Sequence, residues 1–191
     1  RRVLMDVIIF AHPDNKGSHN AAVLRHVKAR IEAESGKFEV IDLYADGFDP
    51  VLRYGPEGPL GDPKVEKYQE LLRGAKRLIF IYPVWWYNAP AIMKGFIDKV
   101  FTPGFAYSFK TDPVKGFYVE QLLKGKEAIV INTYGGGSEW MDAHGNAPMM
   151  VMDKAALDFC GISVQARINW FGARGPAEVP KEIAELIDAE V

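Results

Sequence analysis

Apolar residues fall along the chain in two alternating textures. Short, nearly continuous runs are bounded by turn-forming residues: Val3 to Phe10 (broken by Asp6), Phe38 to Leu43, Leu78 to Tyr82, Ala128 to Ile131, and the alternating Ile162 to Ile168. Runs of this length and continuity suit strands covered on both faces, as in a parallel sheet. Between them apolar positions recur with helical spacing: Ala22, Val23, Val27 and Ile31, then Val65, Tyr68, Leu71 and Leu72, then Ile92, Met93, Phe96, Ile97 and Val100. Two further sets follow, Met149, Met152, Ala156, Leu157 and Phe159, and Ile183, Leu186 and Ile187. Five strands alternating with five helices predict a doubly wound α/β sheet. A length of 191 residues suits one domain spanning the whole chain.

One segment breaks this rhythm. "ADGFDPVLRYGPEGPLGDP", Ala45 to Pro63, is dense in Gly and Pro but carries Phe48, Val51, Leu52, Tyr54 and Leu60. It predicts an ordered loop packed through those side chains, the alternative being a disordered linker.

Charge and cysteine usage narrow the function classes. Net charge is −2 with no long basic run, which argues against nucleic acid or an anionic membrane as the main partner. Cys160 is the only cysteine, so neither an internal disulfide nor a thiolate metal site is expected, and a reducing cytoplasm is the natural setting. No apolar run approaches the roughly 18 residues that span a bilayer. "RRVLMDVIIFAHPD" reads as a first strand rather than a signal peptide.

In an open α/β sheet, ligands bind beyond the carboxyl ends of the strands, where strand order reverses. Three loops leave that edge. The first, "AHPDNKGSHN", ends in Ser18, a good N-cap, so free helix amides with His12, Ser18 and Asn20 would suit an anion. The competing reading is a capped helix with a polar surface loop. Neither a GxxxxGK[ST] nor a GxGxxG pattern is present, which leaves a different kind of phosphate loop. The second loop, "VWWYNAP", puts Trp85, Trp86 and Tyr87 after a central strand. They suit either an apolar border for a flat ring system, or core packing and helix capping. The third, "NTYGGGSEW", carries Gly135, Gly136 and Gly137, which allow close approach of backbone to a ring or simply a tight turn. One phosphate grip and two ring borders together suit a flavin better than a nicotinamide alone.

The motifs in order also resemble a known family, the flavodoxin-like NAD(P)H:quinone oxidoreductases of the DT-diaphorase type and their shorter bacterial members. The resemblance rests on "AHPD…SHN", "DLYADGFDPVL", "YPVWWYNAPAIMKGFIDKVFTPGFAY", "TYGGGSE" and "DFCGI", and covers nearly the whole chain. It implies a flavodoxin-like three-layer sandwich with strand order 2-1-3-4-5, and a homodimer with active sites at the subunit interface. It implies FAD or FMN taking hydride from NAD(P)H and passing it to a quinone or similar acceptor. Carried over residue by residue, His12, Ser18, His19 and Asn20 hold the phosphate end. Pro83, Val84, Trp85, Trp86 and Tyr87 border the ring from one side, with Trp86 carrying the motif and Trp85 at a variable position. Thr133, Tyr134, Gly135 and Gly136 border it from the other, the last two stabilising developing charge through their amides. Trp86, Tyr107 and Trp140 would sandwich the substrate, Tyr107 from the partner subunit. Lys94 and Asp98 are expected on a helix surface or at an interface and not in catalysis.

The chain departs from the long type in two places. "GSEWMDAHGN" offers Trp140 and His144 where the long type has a Tyr and then a His that stabilise negative charge on the reduced flavin. His144, at a shorter spacing, would take that catalytic role, the alternative being an exposed loop histidine, and Gly145-Asn146 suggests a structural turn. The sequence also ends soon after its last expected helix, so the extra C-terminal region of the long type is not expected. Two other classes stand beside the enzyme reading: a flavodoxin-like electron carrier, and a regulatory subunit with a membrane-transporter partner of the potassium-efflux kind.

Overall fold

The structure is a computed structural model and describes residues 5–55 and 58–191. Five parallel strands form the central sheet: β1 (Met5–Phe10), β2 (Phe38–Asp42), β3 (Ala75–Pro83), β4 (Glu127–Thr133) and β5 (Ser163–Trp170). Their order is 2-1-3-4-5, as expected, with Ile8 opposite both Val40 and Ile79, and Ile131 opposite Ile168. Val3 lies outside the described residues, so β1 is described from Met5 onward.

The sheet is sealed on both faces because its strands alternate between two apolar sets. Val7, Ile9, Leu78, Phe80 and Val130 face one core with Leu72, Met93, Phe96 and Leu157, while Ile8, Phe10, Ile79, Ile81 and Ile131 face the other with Val23, Val27 and Ile187. With both faces covered, the strands need no polar alternation, which is why they read as continuous runs.

The flanking helices are α1 (His19–Ala33), α2 (Pro63–Gly74) and α3 (Ala91–Val100), with α5 (Lys181–Glu190) at the end of the chain. The oxygen of Ser18 caps α1 by accepting from the Ala21 amide, and Asp62 caps α2 by accepting from Lys64, ahead of Pro63 in the first turn. The fourth helix corrects the 3.6-residue expectation. A short α-helical piece, Ala147–Met149, runs into a π-helix, Met150–Leu157, and then a 3-10 turn, Asp158–Cys160; together these form α4. The wider π turn puts Met152, Asp153 and Leu157 inward and leaves Phe159 39% exposed, although the helical spacing assigned Phe159 to the core.

Two short strand pairs lie outside the sheet. Tyr54–Gly55 pairs with Gly58–Pro59, and Tyr107–Asp112 pairs with Gly116–Gln121 in a hairpin the apolar pattern did not predict. In the 45–63 segment, Phe48 is buried against Tyr68 and Phe96. Lys64 donates to the carbonyls of Asp46 and Gly47, and Lys99 to that of Asp49, so the segment is ordered from beneath. Val51, Tyr54 and Leu60 are exposed, contrary to the expected packing, because Phe48 alone reaches the core.

Among the described residues no helix is long and apolar enough to cross a membrane.

Candidate active site

The carboxyl edge of β1, β3 and β4 carries two adjoining cavities of ≈ 440 and ≈ 460 Å³. Both fall in the range usual for small-molecule sites. They share Val84, Trp86, Tyr134 and Gly135, and so form one trough. His12, His19, Asn20, Pro83, Trp85, Thr133 and Ala173 line the first part, and Tyr87, Gly136, Gly137, Trp140, Met141 and Arg174 the second.

The polar end is built by the loop after β1. Asp14 accepts from the amides of Lys16 and Gly17, and these bonds hold its carboxyl below the usual carboxylate range. Those two amides are therefore spent on the loop itself. The first-turn amides of α1 have no partner within the helix. Ser18 satisfies that of Ala21, leaving those of His19 and Asn20 for a ligand. Nδ1 of His12 lies 3.0 Å from both the amide and the carbonyl of Asp14, leaving Nε2 as the outward edge of the ring, and burial keeps this imidazole below its ordinary pKa. Asn20 is 2% exposed and its Nδ2 donates to the hydroxyl of Thr133 at 2.7 Å. Its Oδ1, and Nε2 of His19, are buried without a hydrogen-bond partner. Buried polar atoms are seldom left so in a finished structure. Because the Thr133 hydroxyl can donate or accept, the Asn20 amide can offer either of its ends to a ligand.

The aromatic wall is a tight hairpin. Trp85 and Asn88 exchange both backbone hydrogen bonds, and Trp86 and Tyr87 between them have φ of 52° and 57°. Positive φ at both central residues makes this a type I′ turn, which normally holds Asn-Gly. Trp86 is 96% exposed and Trp85 43%, so neither is a core residue. Bulky residues kept in a strained turn with their rings in solvent point to a role outside folding. Tyr87 stacks on His144, ring centroids 4.2 Å apart, and Nδ1 of His144 lies 2.7 Å from the Trp140 carbonyl. His144 thus braces the back of Tyr87 and does not line either part of the trough.

The glycine loop forms the opposite wall. The carbonyls of Tyr134, Gly135 and Gly136 accept from Ala173, Arg174 and Gly172, which ties the loop to the one after β5. Gly135 and Gly136 have no positive φ, so the turn itself does not require glycine there. A Cβ on Gly135 would meet nothing within 4 Å; the absent side chain keeps the trough open. Burial pushes the Tyr134 phenol up to about 12, so it stays protonated above neutral pH.

Beneath the edge, Arg167 of β5 forms a bidentate pair with Asp153 of α4, at 2.8 and 2.6 Å, and also donates to the Asn132 side-chain oxygen. Asn132 in turn donates to the carbonyl of Tyr82. This chain of contacts fixes the ends of β3, β4 and β5 against one another.

The sequence-predicted residues therefore meet, with three exceptions. Ser18 acts as the cap and not as a lining residue. His144 stands behind Tyr87. Tyr107 lies away from Trp86 and Trp140, packed on Phe109 and Phe159 beside other surface cavities, so no three-ring sandwich forms within one chain. Lys94 and Asp98 pair on the surface of α3, and Gly145 and Asn146 form a turn, as expected, with both residues at positive φ. Sequence reasoning did not assign Ala173 and Arg174 to the site. Applying the strand-edge rule to β5 as well would have found them.

A family described by its flavodoxin-like fold matches residues 7–189. The chain belongs to this flavodoxin-like family. Among its relatives, NAD(P)H dehydrogenase (quinone) 1 of Cavia porcellus is 29% identical over 204 residues, covering 93% of this chain and 72% of that protein. Smu.1420 from Streptococcus mutans UA159 superimposes with a TM-score of 0.80 at 31% identity, covering 98% of this chain and 96% of the other. The NAD(P)H:quinone oxidoreductase from Methanothermobacter marburgensis does so with a TM-score of 0.75 at 26% identity, covering 98% and 93%. The two superimposed structures share the overall fold whose sheet carries the trough at its carboxyl edge.

Proposed function

We propose that this chain is a flavin-dependent NAD(P)H:quinone oxidoreductase. The observation that carries the reading is the pair of unsatisfied buried atoms, Asn20 Oδ1 and His19 Nε2, at the polar end of a trough whose other end is walled by aromatics and glycine. That donor and acceptor set fits the phosphate and polyol of a flavin, and the aromatic part fits a flat ring. The names borne by relatives, quinone dehydrogenases and a quinone oxidoreductase, support the same chemistry.

A bound flavin would supply the two-electron chemistry between NAD(P)H and a quinone. The chain's own groups do the rest. The amides of His19 and Asn20, with Nε2 of His12, bind the phosphate end. Pro83 to Tyr87 on one side and Thr133 to Gly136 on the other orient the ring. The N–H groups of Gly135 and Gly136 stabilise negative charge at the ring edge, their carbonyls being already engaged. Trp86 and Trp140 bracket a planar substrate and exclude water from it.

The working unit is a homodimer in the cytoplasm, each chain acting as one flavin-binding domain. The 107–121 hairpin supports this, since a two-stranded ribbon is marginal alone and this one exposes Phe109 and Phe117. In that assembly Tyr107 reaches the partner's trough.

The test is a visible spectrum of the purified protein, with chromatography of any released flavin. Bound flavin that bleaches with NADH or NADPH and recovers on adding a quinone is expected. Failure to bind added FMN or FAD would overturn the reading.

A further inference from the structure

Arg174 is the cation at the aromatic end of the trough. Its Nε donates to the carbonyl of Gly135 at 3.0 Å, which anchors the guanidinium at the rim. Its two terminal nitrogens have no partner among the described residues. Arg30, Arg53, Arg73, Arg77 and Arg167 pair with carboxylates. Among the described residues Arg25 and Arg174 do not, and Arg25 spends a terminal nitrogen on the Lys16 carbonyl, whereas the terminal nitrogens of Arg174 are free. The Glu139 carboxylate lies against the backbone of Gly137.

From this we infer that Arg174 selects ligands that carry an anionic oxygen group beside a planar ring. The inference deepens the proposed function and rests on it. A guanidinium presents a planar fork that matches phosphate, sulfonate or carboxylate, and one held by its Nε loses little freedom on binding. Beside Trp86 and Trp140 the fork reads the edge of whatever stacks between them. A cofactor phosphate held at His12, His19 and Asn20 belongs to the other end of the trough, so it does not account for Arg174. Two ligands have the required chemistry: a nicotinamide donor with a 2′-phosphate, and an acceptor with an acidic substituent.

The experiment compares wild type, Arg174→Met and Arg174→Lys, each loaded with flavin and checked for flavin content and melting temperature. Two ratios of kcat/KM are measured at low salt: NADPH over NADH with a neutral naphthoquinone, and sulfonated over neutral naphthoquinone with NADH. At least one ratio falls about tenfold in Arg174→Met, mainly through KM, as expected for one charge-assisted hydrogen-bonded contact. Arg174→Lys gives a smaller fall, and high salt shrinks both. A fall in the first ratio identifies the donor phosphate as the ligand, and a fall in the second identifies the acceptor. Both ratios unchanged would overturn the inference. A separate titration needs no turnover: quenching of tryptophan fluorescence by naphthalenesulfonate should weaken about tenfold in Arg174→Met, while quenching by neutral naphthol should not. Equal weakening for both would also overturn it. If wild type oxidises neither nicotinamide, the functional reading fails, and the titration alone decides the role of Arg174.

Discussion

The side-chain amide of Asn20 donates to the hydroxyl of Thr133 at 2.7 Å, across a sequence separation of 113. The bond ties the start of α1 to the end of β4, and so joins the phosphate end of the trough to its glycine wall. Thr133→Val leaves a buried amide without its partner, a loss of about 1–3 kcal/mol. Urea denaturation should show that loss, and flavin titration should show weaker binding in the same variant. Unchanged stability and affinity together would mean that the bond holds nothing in register.

Trp86 sets stability against binding. Its ring is 96% exposed and its φ is 52°, so replacing it by Gly removes strain and loses no packing. The left-handed region costs an ordinary residue roughly 1–2 kcal/mol, so Trp86→Gly should melt at a higher temperature. The same variant should bind flavin or acceptor more weakly, and more so than Trp85→Ala. A variant that is both less stable and fully active would return Trp86 to a structural role.

Gly95 is fixed by contact and not by backbone conformation. A Cβ there would overlap the carbonyl oxygen and ring of Pro50, where the 45–63 segment crosses α3. Gly95→Ala should therefore cost about 1–3 kcal/mol, typical of overpacking. Thermal melting measures it. A melting temperature equal to wild type would show that the segment can lift away from α3 freely.

Lys99 donates to Asp62 at 2.7 Å and to the Asp49 carbonyl at 2.9 Å, and its side chain is 7% exposed. Its hydrogen bond holds the Asp62 carboxyl below the ordinary carboxylate range. A depressed folded pKa contributes stability above the unfolded value of about 4, and loses it as pH falls through the folded value. Lys99→Met should lower stability by about 1–3 kcal/mol at pH 7. The gap to wild type should narrow as pH drops below about 4. Denaturation across that range is the measurement, and a gap constant with pH would rule out the Asp62 pair as its source.

Much of the fold was legible in local patterns. The continuous runs around Val7, Phe80 and Val130 report burial on both faces, and that condition belongs to a parallel sheet. Ser18 declares the start of α1, and the strand-edge rule then gathers the loops at His12, Trp86 and Gly135. Local sequence suffices for the sheet, the caps and the chemistry gathered at its edge, because periodicity and capping act within a few residues.

The remaining features came from the folded chain. Nothing local makes Met150–Leu157 a π-helix; its wider turn brings Asp153 inward to meet Arg167, a partner on another element. The 45–63 segment held five apolar candidates of equal local standing, and Phe48 won because Tyr68 and Phe96 stand beneath it. Glycine at 95 is explained by Pro50, 45 residues earlier in the sequence. Arg174 reaches the site through the carbonyl of Gly135, which holds its Nε across 39 residues of sequence. Each outcome depends on a contact between segments distant in sequence, and such contacts exist only once the chain has folded.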